Sequence, residues 1–233
     1  LDDVDTINTE LALADLLSAE KSYQKAIKNS KAGQKEGLPL KNLLEKILPK
    51  LEEGIAIRSV EFNPDEYKLI KSLQLLTSKP VLYVANVSDS GFVNNPHLEE
   101  LKDYAKNQNS EVVAVCADIE AEIAELDDDD KQGFLDEMGQ KESGLDRLIK
   151  AGYGLLGLQT YFTAGVKEVR AWTINVGDSA PVAAGKIHGD FEKGFIRAET
   201  ISYKDFIDYK GEKGSKDAGK LRSEGKEYIV QDG

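Results

Sequence analysis

Asn86, Val87, Ser88 and Asp89 follow the apolar run Val81-Leu-Tyr-Val-Ala85, and an Asn with a carboxylate at the fourth position can read a nucleotide base. The strand-end amide bridges neighbouring loops, while the carboxylate accepts from the ring N–H and exocyclic amine of guanine. Adenine has no such donor pair. The second position, Val87, offers only an apolar surface and its backbone. An Asn-x-x-Asp recurs by chance, and a turn in which Asn86 caps its own loop accounts for the same residues without a ligand. A second apolar run, Val112-Val-Ala-Val115, which ends at Cys116-Ala117, strengthens the pattern.

Folds that hydrolyse nucleotides cradle the phosphates with Gly-x-x-x-x-Gly-Lys-Ser/Thr, placed between a first strand and a helix N-terminus. Gly214-Ser-Lys-Asp-Ala-Gly219-Lys220-Leu221 matches that spacing except at its last position, where Leu221 lacks the hydroxyl that ligates Mg2+. The residues before it, 208–213, are charged, whereas a central parallel strand is apolar. This segment reads as a lysine-rich surface turn. The chain starts without Met and inside a helical pattern, so it is expected to be part of a longer nucleotide hydrolase, holding the base edge of the site without the phosphate cradle.

The elements that position these residues follow from periodicity. Tyr67, Ile70, Leu73 and Leu76 predict a helix over 65–77 after the Asn63-Pro64 turn. A strand over 81–85, a helix over about 98–108 and a strand over 112–115 make a βαβ unit, both strands buried in a parallel sheet. Ligands of open α/β sheets lie beyond the carboxyl ends of the strands, where Asn86 to Asp89 and Cys116 to Asp118 fall. Upstream, Val4, Ile7, Leu11, Ala14 and Leu17, then Leu40, Leu43, Leu44, Ile47 and Leu51, predict two helices. Gly33, Gly37 and Pro39 separate them, giving an antiparallel hairpin whose tip carries Lys25, Lys28, Lys31 and Lys35.

Composition narrows the class. With 233 residues and 40% hydrophobic content, the chain can build one large or two modest cores. One cysteine, Cys116, and two distant histidines, His97 and His188, exclude an internal disulfide and a Cys/His metal site, and fit a reducing cytoplasm. No run approaches the roughly 20 apolar residues of a membrane span. The net charge of −12 argues against whole-surface nucleic-acid binding, and no DNA partner is expected. Residues 21–50, however, hold 8 Lys against 2 Glu, and 100–150 hold 15 Asp/Glu against 6 Lys/Arg. The basic segment is either a solvated face or an arm that touches RNA phosphates. The run Glu125-Leu-Asp-Asp-Asp-Asp130 lacks the alternation and Gly of a calcium loop and reads as a helix N-terminus.

In the C-terminal part, 169–176 and 194–201 read as strands. Gly177-Asp-Ser179 turns into and caps a short helix from Pro181, and 203–209 reads as another. Tyr228-Ile-Val230 reads as a strand with nothing left to pair it. His188 reads as a helix-end residue, and Trp172 and Phe191 either pack in a core or stack on RNA bases.

Five stretches together resemble the YchF family of Obg-like ATPases. They are Thr6-Ile-Asn-Thr-Glu-Leu-Ala-Leu-Ala-Asp15, Lys79-Pro-Val-Leu-Tyr-Val-Ala-Asn-Val87, Ile123-Ala-Glu-Leu-Asp127, Leu158-Gln-Thr-Tyr-Phe-Thr-Ala-Gly-Val-Lys-Glu-Val-Arg-Ala-Trp172 and Ile187-His-Gly-Asp-Phe-Glu-Lys-Gly-Phe-Ile-Arg-Ala-Glu199. The resemblance implies a partial α/β P-loop NTPase-type domain with an inserted antiparallel helical arm, followed by a β-grasp (TGS) domain. The arm would take 1–60, the C-terminal part of the nucleotide-binding domain 61–150, and a truncated TGS domain 151–233. The family pattern has an apolar second position and usually Glu at the fourth, and prefers ATP. By position, Asn86 and Val87 would frame adenine and Cys116 and Ala117 would close the opposite side. Asp89 departs from the pattern and keeps GTP possible. The implied activity is ATP hydrolysis to ADP at a ribosome or rRNA partner in the cytoplasm, with Mg2+ and the catalytic groups held by residues outside this chain and no membrane contact. The alternatives are a non-catalytic RNA- or ribosome-binding module that uses nucleotide as a switch, and a guanine-specific translational GTPase.

Overall fold

In the computed structural model, which describes residues 1–31 and 37–233 apart from the side chains of Lys31 and Asp128, the longest element is α1, Asp2–Lys31. Asp2, Asp3 and Asp5 in its first turn favour the positive end of the helix dipole. The chain returns through α2, Gly37–Glu52. The hairpin is antiparallel: Gly37 lies beside Ala26 and Ser30, and the Tyr23 hydroxyl donates to Glu45 at 2.7 Å. A Cβ on Gly37 would stand 3.0 Å from the Ser30 nitrogen, so a residue without a side chain is what lets the helices meet there.

The face that α1 buries is not the one its large aliphatics predict. Ile7 and Leu17 are each 60% exposed, while Ala12, Asp15, Ala19 and Ala26 are buried. Ala19 and Ala26 share one core with Leu43, Leu44, Ile47, Leu51, Ile57, Ile70 and Leu75. The partner helix supplies most of the bulk, so α1 contributes alanines at the seam, flanked by the half-buried Leu16 and Tyr23, and turns Ile7, Leu13 and Leu17 outward.

Asp15 fixes the root of this hairpin. It is 2% exposed and accepts from Leu76 N–H and Thr77 N–H, each at 2.7 Å, and from the Thr77 hydroxyl at 2.6 Å. Thr77 Oγ1 in turn accepts from Ile57 N–H at 3.2 Å. One carboxylate thus joins α1 to the two short turns at 57–59 and 76–78.

The following helix α3, Pro64–Leu73, opens with a capping box. Asn63 Oδ1 accepts from Asp65 and Glu66 N–H, and Glu66 accepts from Asn63 N–H. That backbone bond, aided by Lys46, holds the Glu66 carboxyl below its usual range. The helix stops four residues before its predicted end, with Gln74 left-handed at φ 55°, so Leu76 falls on the next turn and Tyr67 points to solvent.

Strand β1, Leu82–Asn86, pairs in parallel with β2, Glu111–Val115, across α4, Pro96–Asn107, which Asn95 caps through His97 and Leu98 N–H. The βαβ unit stands, but its strands are not fully buried: Val84 is 46% exposed. The sheet has two strands among the described residues, and one face of β1 lies open. On the covered side the Tyr83 ring meets Tyr104 edge-on, and Tyr104 accepts from the Asn8 amide at 3.1 Å. Helices α5, Ala117–Glu125, and α6, Asp128–Glu137, follow. The acidic run does start α6, although Asp127 makes no capping bond. These elements belong to the first of two compact units, Leu1–Gly144; the second is Leu145–Gly233.

The second unit takes most of α7, Gly144–Leu156, and then the antiparallel pair β3, Leu158–Ala164, and β4, Val169–Asn175, in register Tyr161 to Trp172. Helix α8, Ala180–Ile187, packs on β4, and Tyr161 donates to the Ala183 carbonyl at 2.9 Å. Ser179 precedes α8 without capping it. Asp178 instead accepts from Asn175. After α9, Gly189–Lys193, the strand predicted over 194–201 contracts to β5, Ala198–Thr200. Helices α10, Tyr203–Asp208, and α11, Glu212–Asp217, lead to β6, Arg222–Glu224, antiparallel to β5.

Two expectations fail in this unit. Of 214–221, read as a lysine-rich surface turn, the first four residues belong to α11, with Ser215 fully buried, while Lys216 and Lys220 are exposed. Gly214 is required there, since a Cβ would stand 1.8 Å from the Tyr209 carbonyl oxygen. The segment 228–233 is also not unpaired. Ile229 bridges Ser179, the Gln159 amide donates to the Val230 carbonyl, and Gly233 N–H donates to the Thr160 carbonyl. No helix among the described residues is long and apolar enough to cross a membrane.

Replacing Asp15 with Ala strands the buried amide and hydroxyl of Thr77 and the part-buried amide of Leu76, and is expected to cost roughly 3 kcal/mol, read by urea denaturation. Leu17→Ser on the open face is expected to change stability by less than about 1 kcal/mol. Equal losses for the two variants would reverse this assignment of the buried face.

Candidate functional site

Because β1 and β2 run parallel with Asn86 opposite Val115, their carboxyl ends are level. Val87 N–H donates to the Val115 carbonyl at 2.8 Å and extends the ladder by one residue. Asn86 then turns outward, and its Oδ1 accepts from Ala117 N–H, the first amide of α5, at 3.1 Å. The loop after β1 and the helix after β2 are thereby tied, as the strand-end amide predicts.

This geometry sets what the site presents. Asn86 spends its oxygen on Ala117, which leaves its Nδ2 donors available to a ring acceptor such as purine N7. Val87 spends its N–H on the ladder, which leaves its carbonyl as an acceptor. An unpaired acceptor there suits the exocyclic amine of adenine and opposes the O6 of guanine. Cys116 is buried beneath the turn, and Ala117 is exposed beside Asn86.

Asp89 opens a tight turn, Asp89–Phe92, and its Oδ1 accepts from Ser90 N–H at 2.6 Å. The side chain is exposed, but one of its two oxygens is engaged with its own turn. Gly91 permits that turn: a Cβ there would stand 3.1 Å from both Ser88 Oγ and Val87 Cβ. Asn95, the α4 cap, donates to the Gly91 carbonyl at 3.0 Å and closes the loop.

Spacing gave no sign of the support beneath. Glu120, on α5, accepts from Gly144 N–H at 2.6 Å across 24 residues of sequence. The only local signal is the Ser143-Gly144 pair before an amphipathic helix, which marks a helix start but names no partner.

The arm lysines divide by helix. On α2, Lys41 pairs with Glu45 at 2.8 Å, Lys46 with Glu66 at 3.1 Å and Lys50 with Glu53 at 3.1 Å. On α1, Lys25 and Lys28 are exposed, share a face with Lys21, and none of the three has a carboxylate partner among the described residues. The Lys31 side chain and all of Lys35 lie outside the described residues.

Other singled-out residues have structural duties. His188 Nδ1 accepts from Asp190 N–H at 3.2 Å and caps α9, in keeping with a helix-end role. Trp172 is half-buried, donates to Thr163 Oγ1 at 2.9 Å and carries the Arg170 guanidinium 4.2 Å over its ring. Phe191 is exposed and packs edge-on with His188.

Comparison with known proteins adds an independent line. Residues 158–233 match a family model described as YchF-GTPase_C, protein of unknown function (DUF933). The chain is 59% identical over 233 residues to the "Ribosome-binding ATPase YchF" of Haemophilus influenzae, 56% to that of Escherichia coli O157:H7 and 52% to that of Bacillus subtilis. Each alignment takes in 100% of this chain and 64% of the relative, so the chain spans about two-thirds of the length of these relatives, falling just short of that share. Its fold matches the Schizosaccharomyces pombe YchF GTPase at a TM-score of 0.80 and 32% identity, over 100% of this chain and 64% of that one.

Proposed function

The chain belongs to the YchF family, and from that premise we propose that residues 61–150 supply the base-reading edge of a ribosome-associated ATPase. The observation that carries this is the Asn86 Oδ1 bond to Ala117 N–H, which gathers both strand-end loops around one outward-facing amide. The Asn86 Nδ2 group meets purine N7, and the Val87 carbonyl accepts from the adenine amine. The exposed Ala117 forms the opposite wall, with Cys116 packed beneath it. ATP is preferred because the Val87 carbonyl matches the exocyclic amine of adenine and opposes the O6 of guanine. The triphosphate and its Mg2+ are held by residues of the longer protein, and the chemistry there is phosphoryl transfer to water. This chain's own residues contribute orientation of the base.

Residues 151–233 are proposed as a β-grasp TGS domain and 1–60 as the arm. The names of the relatives, together with the unpaired α1 lysines, support a cytoplasmic ribosome as partner. Lys25 and Lys28, joined by Lys31 and Lys35 further along the sequence, would meet rRNA phosphates. The ion pairs on α2 leave that helix little free positive charge to add.

Competition titration on a full-length protein carrying this stretch is expected to show ATP binding more tightly than GTP, with Asn86→Ala weakening ATP about tenfold, the worth of one good hydrogen bond. Tighter GTP binding would mean that Asp89 reads guanine, and the protein would then be a translational GTPase. The 233-residue chain alone is expected to release no phosphate from ATP above background, since positioning and charge neutralisation at the phosphates supply nearly all of this catalysis.

For the arm, Lys25→Glu with Lys28→Glu is expected to weaken ribosome binding and to lower the slope of log affinity against log salt by about 2. Unchanged affinity and slope would remove the arm from the interface.

A further inference from the structure

The turn that carries Cys116 and Ala117 is held from a third side. Glu120 lies one turn into α5, where its N–H donates to the Cys116 carbonyl at 3.0 Å. Its side chain reaches away from the helix, and Oε1 accepts from Gly144 N–H at 2.6 Å, a short charge-assisted bond. Gly144 is buried against the end of β2: a Cβ there would stand 2.7 Å from Glu120 Oε1 and 3.1 Å from Val115 Cγ1. Ser143 beside it is buried as well. The first turn of α5 is therefore held at two points: Ala117 N–H donates to Asn86 Oδ1 on the β1 side, and Glu120 accepts from Gly144 N–H behind the helix. Closing α5 requires neither an acid at 120 nor a glycine at 144. The pair makes sense as a device that sets where the helix begins.

We infer that Glu120 is a positioning residue for base recognition. By locking the first turn of α5 to Gly144 it fixes the place of Ala117 N–H, and through the Asn86 Oδ1 bond it aims the Asn86 Nδ2 donors. A contact that points a hydrogen-bonding group must hold it within about 0.5 Å, and residues behind the site supply that rigidity. This inference rests on the adenine-reading assignment proposed above, and it adds a residue that never touches the nucleotide. Phosphate affinity does not pass through this clamp, so base and phosphate binding should separate when it is broken.

The test uses a full-length protein carrying this stretch, with ATP and inorganic tripolyphosphate as probes. Glu120→Ala is expected to weaken ATP about tenfold, one hydrogen bond's worth of aim, while tripolyphosphate stays within about twofold. Gly144→Ala drives a Cβ into the Glu120 carboxylate and should give the same split. Glu120→Gln keeps an oxygen acceptor in place and should recover most of the ATP affinity, which a purely electrostatic role would not allow. Equal losses for ATP and tripolyphosphate, or unchanged ATP affinity in both Glu120→Ala and Gly144→Ala, would overturn the inference. An unmodified protein that binds tripolyphosphate as tightly as ATP would instead sink the base-reading assignment, and this inference with it.

Discussion

A buried carboxylate anchors the first unit. Asp15 has no cationic partner among the described residues. It is stabilised by three donors, two backbone amides and a hydroxyl, drawn from the turn that leads towards β1. A charge in that setting is tolerable only when its lone pairs are filled, so the turn at 76–78 and the middle of α1 hold each other in place. Thr77 relays the constraint to Ile57 and so to the end of α2. The two short turns at 57–59 and 76–78 are tied to α1 by this network. The strand that starts four residues after Ser78 delivers Asn86 at its far end.

What the sequence displayed well was chemistry that lives within a few residues. Asn86 at the end of an apolar run and Asn63 and Asn95 before prolines depend on spacing that can be read along the chain, and the structure has them at a strand end and at two helix starts. The buried face of α1 was hidden for a physical reason. Burial of Ala19 and Ala26 depends on Leu43, Leu44 and Ile47 arriving from another helix, and the isolated α1 pattern favours the stripe through Ile7 and Leu17. The Asp15 network and the Glu120–Gly144 bond were hidden for the same reason, since they span 62 and 24 residues and carry no periodic signal. The half-open β1 shows the reverse failure: the apolar run was legible, but how many neighbours it would find was not.

The two units also differ in charge. Residues 1–144 hold 29 Asp/Glu against 16 Lys/Arg, and 145–233 hold 13 against 14, so the acidity of the chain belongs almost wholly to the first unit. Within that unit the carboxylates on and around α2 consume its lysines, whereas Lys21, Lys25 and Lys28 share one face of α1 with no carboxylate partner among the described residues. A polyanion approaching the arm meets one basic edge bounded by negative surface, an arrangement that orients as well as attracts.

The alanine seam of the arm carries a mechanical consequence. Helices that meet through Ala19, Ala26 and Gly37 approach closely and slide little, so the pair bends as one slender beam. From Asp15 to Lys31 that beam measures about 24 Å at 1.5 Å per residue. Pivoting it by about 10° at the Asp15 root would sweep its far end through roughly 4 Å, more than the length of a hydrogen bond. Modest rearrangements near Thr77 would thus be amplified into displacements that a distant partner can sense, with α1 and α2 acting as a lever whose fulcrum is a single carboxylate.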